Sequence, residues 1–373
     1  SNREQQMLDK VTAEFANVIV VVNSSNTMEL GFVENYPAIK SVVWCPGTGQ
    51  SGFNSLGKIL NGEVNPSGKT ADTFVADLTQ TPTYNNFGSF YYDNMSEFEA
   101  MGTPPSFVNY TDGIYVGYRF WETAAVEGMI DYEKAVTYPF GYGLSYTTFE
   151  QKMGDLNVSG GTISVDVTIT NTGSVAGKEV AEIYYNPPYT NGGIEKSAVN
   201  LAGFAKTGML EPGASETVTI TFTEEDMASY DYIGEKAYVL EAGEYEISLR
   251  TDSHTVVDTK KNSIASTVVY NEANKRSTDA EVATNKFDDA NGGLTYLSRK
   301  YGFANYAEAT AAPATYSLAD DLKAAYLNNS NYDPTAFNNA DDVMPTQGAK
   351  GTVKLADLRG ADFNDDGNSS SIR

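Results

Sequence analysis

Apolar residues fall at helical spacing at Met7, Leu8, Val11 and Phe15, and the β-branched run Val18-Ile19-Val20-Val21-Val22 follows at once. The first pattern predicts a helix over residues 3–15; the second predicts a strand buried on both faces, as parallel strands are. The pair then repeats. Residues 38–44 form a second apolar run, Pro46-Gly47-Thr48-Gly49 breaks it, and Phe53, Leu56, Ile59 and Leu60 return to helical spacing before Asn61-Gly62 supplies a stop. Residues 1–75 therefore read as helix, strand, helix or loop, strand, helix, the later part of a doubly wound sheet whose beginning is not at Ser1.

Over residues 77–105 the pattern lapses, and Tyr84, Phe87, Phe90, Tyr91, Tyr92 and Phe98, with Phe107 beyond, scatter among Asn, Gly and Pro. Rings in such a loop either pin it onto a domain or stack on the C–H faces of pyranoses; pinning is the ordinary role. Beyond Thr147 the period becomes two: Ile163, Val165, Val167 and Ile169 alternate with Ser164, Asp166, Thr168 and Thr170. Further strands are predicted at residues 180–185, 218–222 and 245–249, punctuated by Pro187-Pro188, Pro212-Gly213 and Ala242-Gly243. Short alternating strands between turn signals predict a β-sandwich of about 110 residues. The last stretch is rich in Asn, Asp, Ala and Thr and is broken by Pro313, Pro334 and Pro345. It reads as an extended linker anchored at patches such as Tyr296-Leu297 and residues 303–306. The expected fold class is α/β plus all-β: a partial doubly wound α/β sandwich over residues 1–147, a β-sandwich over 148–261 and a linker over 262–373.

Composition narrows the partners. Against 25 basic residues stand 49 acidic ones, a formal charge of −24. Such a surface repels phosphate backbones and anionic headgroups, so nucleic acid and acidic membranes are poor partners, and solubility is the ordinary consequence. Cys45 alone permits neither an intramolecular disulfide nor a thiolate metal cluster, and its apolar setting marks a buried small residue rather than a nucleophile. No apolar run reaches about 18 residues and residues 1–10 are polar, so neither a membrane span nor a signal peptide is expected; the chain reads as soluble, cytoplasmic or secreted.

Three segments belong together: Asn61-Gly62-Glu63-Val64-Asn65-Pro66-Ser67-Gly68-Lys69-Thr70, Asp112-Gly113-Ile114-Tyr115-Val116-Gly117-Tyr118-Arg119-Phe120, and Pro139-Phe140-Gly141-Tyr142-Gly143-Leu144-Ser145-Tyr146-Thr147-Thr148-Phe149. Their local chemistry is structural. Asn-Pro-Ser-Gly turns the chain out of a helix, Gly141 and Gly143 permit a sharp bend, and Arg119, amid aromatics, is expected to anchor an interface by an ion pair or stacking. In order and spacing the three segments resemble glycoside hydrolase family 3 where its α/β domain meets a fibronectin-III-like domain. Gly203-Phe204-Ala205-Lys206, Leu210-Glu211-Pro212-Gly213 and Ala242-Gly243-Glu244-Tyr245 resemble that second domain, so the likeness covers about residues 1–260. Residues 279–305 and 344–362 are similar to the connector of members in which these two domains precede the (β/α)8 barrel.

The resemblance implies a β-glucosidase-like enzyme that removes terminal β-linked glucose, or a related sugar, from oligosaccharides or glycosides by retention and without a cofactor. Retention needs two carboxyls about 5–5.5 Å apart. The resemblance puts the nucleophilic Asp in the barrel and the acid/base Glu ahead of the first helix. No catalytic residue is therefore assigned, the chain alone is expected to be inactive, and its partners are the barrel and the first part of the α/β domain of the same protein. Glu29, Glu34 and Glu63 match neither motif and are expected to be solvated. The expected substrate contacts are Asn23, Ser24 and Ser25, with Asn26 beside them, at the C-terminal end of the first strand, where open α/β sheets place ligands. Asp362-Phe363-Asn364-Asp365-Asp366-Gly367 matches half a calcium loop, but Arg373 stands where the twelfth-position carboxylate belongs, so no metal is expected. His254, the single histidine, is expected to be a satisfied surface or core residue. Two alternatives stay open: a non-catalytic scaffold or carbohydrate-binding module, for which the missing carboxylates speak, and, among enzymes, β-xylosidase, N-acetylglucosaminidase or phosphorolytic activity.

Overall fold

The computed structural model describes residues 2–94, 106–285, 293–314 and 316–327. The half calcium loop at 362–367 and the connector-like stretch 344–362 lie outside the described residues. Two compact units divide the chain: residues 1–91 with 106–315, and residues 92–105 with 316–373.

The first unit opens with helix α1 (Asn2–Glu14), strand β1 (Val18–Val22), strand β2 (Ile39–Trp44) and helix α2 (Phe53–Leu60). β1 and β2 pair in parallel. α2 stops where the sequence says it must: Gly62 adopts φ +80°, and the Asn61 and Gly62 amides return to Gly57 and Ile59 carbonyls at 3.1 and 3.0 Å. The expectation that β1 is buried on both faces is corrected. Val22 is buried, and with Val20, Val42 and Trp44 it packs on Leu30 and Phe74, but Ile19 is 50% and Val21 39% exposed. A parallel strand is covered on both sides only when helices lie on both, and α1 and α2 contribute no buried residue. Nothing lies within 4 Å of a Cβ added at Gly57 in α2, so Gly57→Ala is expected to raise stability by about 0.5–1 kcal/mol, seen as a higher urea midpoint.

Next come β3 (Phe74–Val75), β4 (Phe90–Tyr91), β5 (Ser106–Phe107), helices α3 (Tyr118–Val126) and α4 (Tyr132–Ala135), and β6 (Val136–Tyr138). β3 pairs with β6 and β4 with β5, all antiparallel. Of the loop aromatics, Phe90 packs on Phe107 at 6.0 Å, whereas Tyr84 and Phe87 are 54% and 73% exposed. Asparagines tie this region down instead: Asn86 Nδ2 donates to Thr111 Oγ1 at 3.0 Å and Asn85 Nδ2 to the Thr310 carbonyl at 3.2 Å.

The sandwich has two facing sheets. One runs β10 (Asn200–Lys206), β9 (Val180–Asn186), β14 (Gly243–Arg250), β15 (Val256–Ile264); the other runs β11 (Ser215–Thr223), β8 (Thr162–Asn171), β7 (Phe149–Ser159). β12 (Ser229–Asp231), β13 (Ala237–Leu240) and β16 (Val268–Tyr270) form a small third sheet, so strand pairing continues past residue 261. The alternation in β8 does what its period demands: Ile163, Val165, Val167 and Ile169 are fully buried and meet Ile183, Ile247 and Leu249 of the opposite sheet.

β9 and β14 depart from simple alternation. Ala181, Ile183 and Tyr185 enter the sandwich core, yet Glu182 and Tyr184, on the other face, are buried as well; so are Ser248 and Arg250 beside Ile247 and Leu249. The α/β part covers that outer face: Tyr118 and Phe140 pack with Tyr184, Ala198 and Val199, the Tyr118 ring stacked on Phe140 at 4.7 Å. Residues 294–310 then return to the α/β part. The Leu297 amide donates to the Thr111 carbonyl at 2.7 Å, and Phe303 meets Tyr115 and Phe120 edge-on at 4.9 and 5.6 Å. In the second unit Tyr92 and Tyr316 meet edge-on at 5.3 Å, Asn94 bonds the Leu318 backbone, and a helix spans Asp320–Leu327.

Candidate functional site

The predicted contacts at the end of β1 form a short turn. Ser24 Oγ donates to the Asn26 carbonyl at 2.8 Å and accepts from the Asn26 amide at 3.2 Å, while Trp44 Nε1 of β2 donates to the Ser24 carbonyl at 2.8 Å. Ser24 is thus committed to shaping the turn, and Asn23 and Ser25 stand exposed beside it. Glu29, Glu34 and Glu63 are exposed as expected; Glu29 accepts from the Leu78 amide at 2.9 Å and Glu63 pairs with Lys58 at 3.5 Å. Cys45 is half-buried, its thiol directed to the Val22 carbonyl at 3.6 Å.

The junction motif is built around two close approaches. A Cβ on Gly143 would stand 2.2 Å from the Gly68 carbonyl oxygen, and one on Gly141, whose φ is +83°, would stand 2.3 Å from the Glu182 carboxylate. Asn65 holds the turn: its Oδ1 accepts from Ser145 Oγ at 2.9 Å and the Tyr146 amide at 2.8 Å, and its Nδ2 donates to the Ala176 carbonyl at 3.0 Å. Thr70 fixes the bend, its amide donating to Tyr142 and its carbonyl accepting from Gly141, each at 2.8 Å. Lys69 completes the turn with an ion pair to Glu179 at 2.9 Å, both side chains about 15% exposed.

Across this junction lies a polar seam. Glu122 of α3, 3% exposed, accepts from Tyr132 Oη at 2.7 Å on its own side and from Ser253 Oγ at 2.8 Å on the sandwich side, and its second oxygen lies 2.9 Å from His254 Nδ1. The His254 ring stacks on Tyr132 at 3.7 Å and 4°. The hydrogen bond to Glu122 raises the imidazole above its usual pKa, and burial raises the Tyr132 phenol further from ionisation. Arg250 donates to Ser248 Oγ at 2.8 Å, the Ser253 carbonyl at 2.6 Å and Asn186 Oδ1 at 3.0 Å, which fixes the turn that carries His254. Glu182 accepts from Tyr184 Oη at 2.7 Å, and burial pushes its carboxyl up to about 7.

Arg119 does not play the anchoring role expected of it. Its side chain is exposed, and its carbonyl accepts from Thr123 Oγ1, which in turn receives the Ala198 amide at 2.9 Å. The anchors are Arg250 and Arg299. Arg299 pairs with Glu127 at 2.6 Å, donates to the Lys196 carbonyl at 3.1 Å and lies over the Tyr189 ring at 4.1 Å. Sequence reading missed Glu122, Glu182 and Arg250. One signal was present: Glu182 sits in Val180-Ala181-Glu182-Ile183-Tyr184-Tyr185, where the phase opposite the core is aromatic rather than solvated, as a doubly covered strand is. Each of these buried carboxylates is enclosed and already bonded, so none forms an open acid and nucleophile pair. Among the described residues no group of three or more His, Cys, Asp or Glu stands ready for a metal, and no helix is long and apolar enough to cross a membrane.

Comparison with known proteins decides the family. Residues 1–118 match the glycosyl hydrolase family 3 C-terminal domain, and residues 179–253 match the fibronectin type III-like domain. The chain carries these two domains of glycoside hydrolase family 3. β-Glucosidase A of Butyrivibrio fibrisolvens is 38% identical over 270 residues, which is 67% of this chain and 30% of that protein. A β-glucosidase from Paenibacillus barengoltzii has a similar structure, with TM-score 0.62 and 32% identity over 71% of this chain and 28% of that one. So does the glucose complex of β-glucosidase 3B from Thermotoga neapolitana, with TM-score 0.58 and 33% identity over 72% and 34%. This family 3 chain thus spans about a third of the length of such relatives.

Proposed function

We propose that this chain is the ancillary part of a retaining glycoside hydrolase that removes terminal β-linked glucose, or a related sugar, from oligosaccharides or glycosides. The observation that carries the reading is the pair of consecutive family 3 matches, shared with proteins named as β-glucosidases. In this proposal the Asp nucleophile and the acid/base Glu lie in parts of the longer protein outside these residues, in keeping with the enclosed state of Glu122 and Glu182 here. The uncovered apolar face of β1, with Ile19 and Val21, supports a first part of the α/β domain packing there, and the segment after the sandwich is proposed to lead to the barrel. Asn23 and Ser25, exposed at the C-terminal end of β1, are the proposed contribution of this chain to the substrate pocket.

An aryl β-glucoside assay tests the reading. The longer protein should hydrolyse it with the anomeric product retained, and this chain alone should give no rate above the uncatalysed one. An inactive longer protein, failing also on β-xyloside and N-acetylglucosaminide, would favour the scaffold or carbohydrate-binding reading. Activity in the isolated chain would refute the placement of the carboxylates.

A further inference from the structure

The seam between the α/β part and the sandwich holds two proton-binding groups on either side of one bend. Phe140 and Gly141 are that bend. On one side the Ser253 amide donates to the Phe140 carbonyl at 2.8 Å, and Ser253 leads directly into His254. On the other side Gly141 lies against the Glu182 carboxyl, closer than any side chain would permit. We propose that this junction is a proton-operated clamp, in which protonated Glu182 beneath Gly141 and protonated His254 against Glu122 hold the sandwich on the α/β domain, and loss of both protons loosens it.

The geometry around each group gives the reason. Glu182 is 4% exposed, and its hydrogen-bond donor is the neutral Tyr184 hydroxyl. Lys69 from the turn after α2, whose charge acts on Glu182, is already paired with Glu179, and Arg250, opposite Glu182 in the β9–β14 pairing, is bound to Ser248 Oγ, Asn186 Oδ1 and the Ser253 carbonyl. Asp252, buried in the turn after β14, faces Glu182 as a second negative group, so an ionised Glu182 has no cation of its own. His254 meets Glu122 from α3, Tyr132 and Glu133 from α4, and Asp252 from its own turn, while Arg250 binds the Ser253 carbonyl beside it. An imidazolium here pairs its charge with a buried carboxylate and stacks on a phenol ring; a neutral imidazole can still donate through Nδ1–H, but the carboxylate then has only neutral side-chain donors, His254 with the Tyr132 and Ser253 hydroxyls.

The signs agree. Glu182 rises from the ordinary carboxylate value to about 7 in the folded state, and His254 rises above the ordinary imidazole value. Both bind their proton more tightly when the seam is closed. The stability each contributes is fully present below its unfolded pKa and is lost as pH rises through its folded one, so the seam weakens between about pH 5 and 8.

The 373-residue chain with its single histidine allows a direct test. NMR of wild-type protein should show the His254 ring titrating above pH 6.5, and hydrogen exchange should show protection of the Gly141 and Ser253 amides falling about tenfold or more between pH 5 and 8.5, after correction for the intrinsic rate. Glu182→Gln, which fixes the neutral form, and His254→Gln should each remove part of this dependence. The unfolding constant of the double variant relative to wild type should change by about tenfold or more across the same range, which isolates the seam from the other acidic groups. A His254 midpoint at or below 6.5, protection independent of pH, or a pH-independent ratio between double variant and wild type overturns the clamp. If a variant does not fold, the wild-type measurements decide.

Discussion

Gly143→Ala is expected to destabilise the chain by about 2–4 kcal/mol, because the added methyl would stand 2.2 Å from the Gly68 carbonyl oxygen and 3.2 Å from its carbon. Both are backbone atoms, so no rotamer change relieves the clash. The turn from Asn65 to Lys69 must shift, and with it the bonds from Ser145 and Tyr146 to Asn65 and the contact of Lys69 with the Gly143 carbonyl. A lowered urea midpoint with an unchanged slope is the expected result. A variant within about 0.5 kcal/mol of wild type would show that the junction is not packed this way. Gly141→Ala provides the contrast: its penalty combines the left-handed φ with a clash against the Glu182 carboxyl, which has some freedom to move.

Glu122→Ala is expected to cost about 3–5 kcal/mol near pH 6, the largest effect of any single side chain in the seam. Removing it leaves the buried Tyr132 and Ser253 hydroxyls without their acceptor and the half-buried His254 ring without its carboxylate partner. Differential scanning calorimetry should show the loss, and NMR should show the His254 titration dropping toward the ordinary imidazole value, since its hydrogen bond to Glu122 is the largest cause of the raised one. A loss below about 1 kcal/mol together with an unmoved His254 titration would show that the domains hold together without this carboxylate.

Much of the architecture was legible in the order of residues because each element states its own period. The two-residue alternation of Ile163, Val165, Val167 and Ile169 placed a strand with one core face, and every one of those four side chains is in the core. The helical spacing at Phe53, Leu56, Ile59 and Leu60, stopped by Asn61-Gly62, gave α2 to the residue at its C-terminal end. The three motifs pointed to the family through turn chemistry that only Gly, Asn and Pro supply, and the domain matches at residues 1–118 and 179–253 agree. For the site less was legible. Ser24 closes its own turn, and Arg119 is exposed without the ion pair or stacking expected of it, because one residue in a loop or on a helix carries no signal of which neighbour will face it.

The sequence by itself determined the local elements, the bend at Gly141 and Gly143, and the family, since these follow from spacing and backbone conformation within a few residues. Only the tertiary structure decided which surfaces are covered. It left Ile19 and Val21 of an all-apolar strand exposed, and it buried Glu182 against Gly141, Arg250 against Asn186 and Glu122 against Ser253, neighbours many residues away along the chain. Burial and charge pairing depend on what packs against a face, and that is a property of the folded chain rather than of any segment of it.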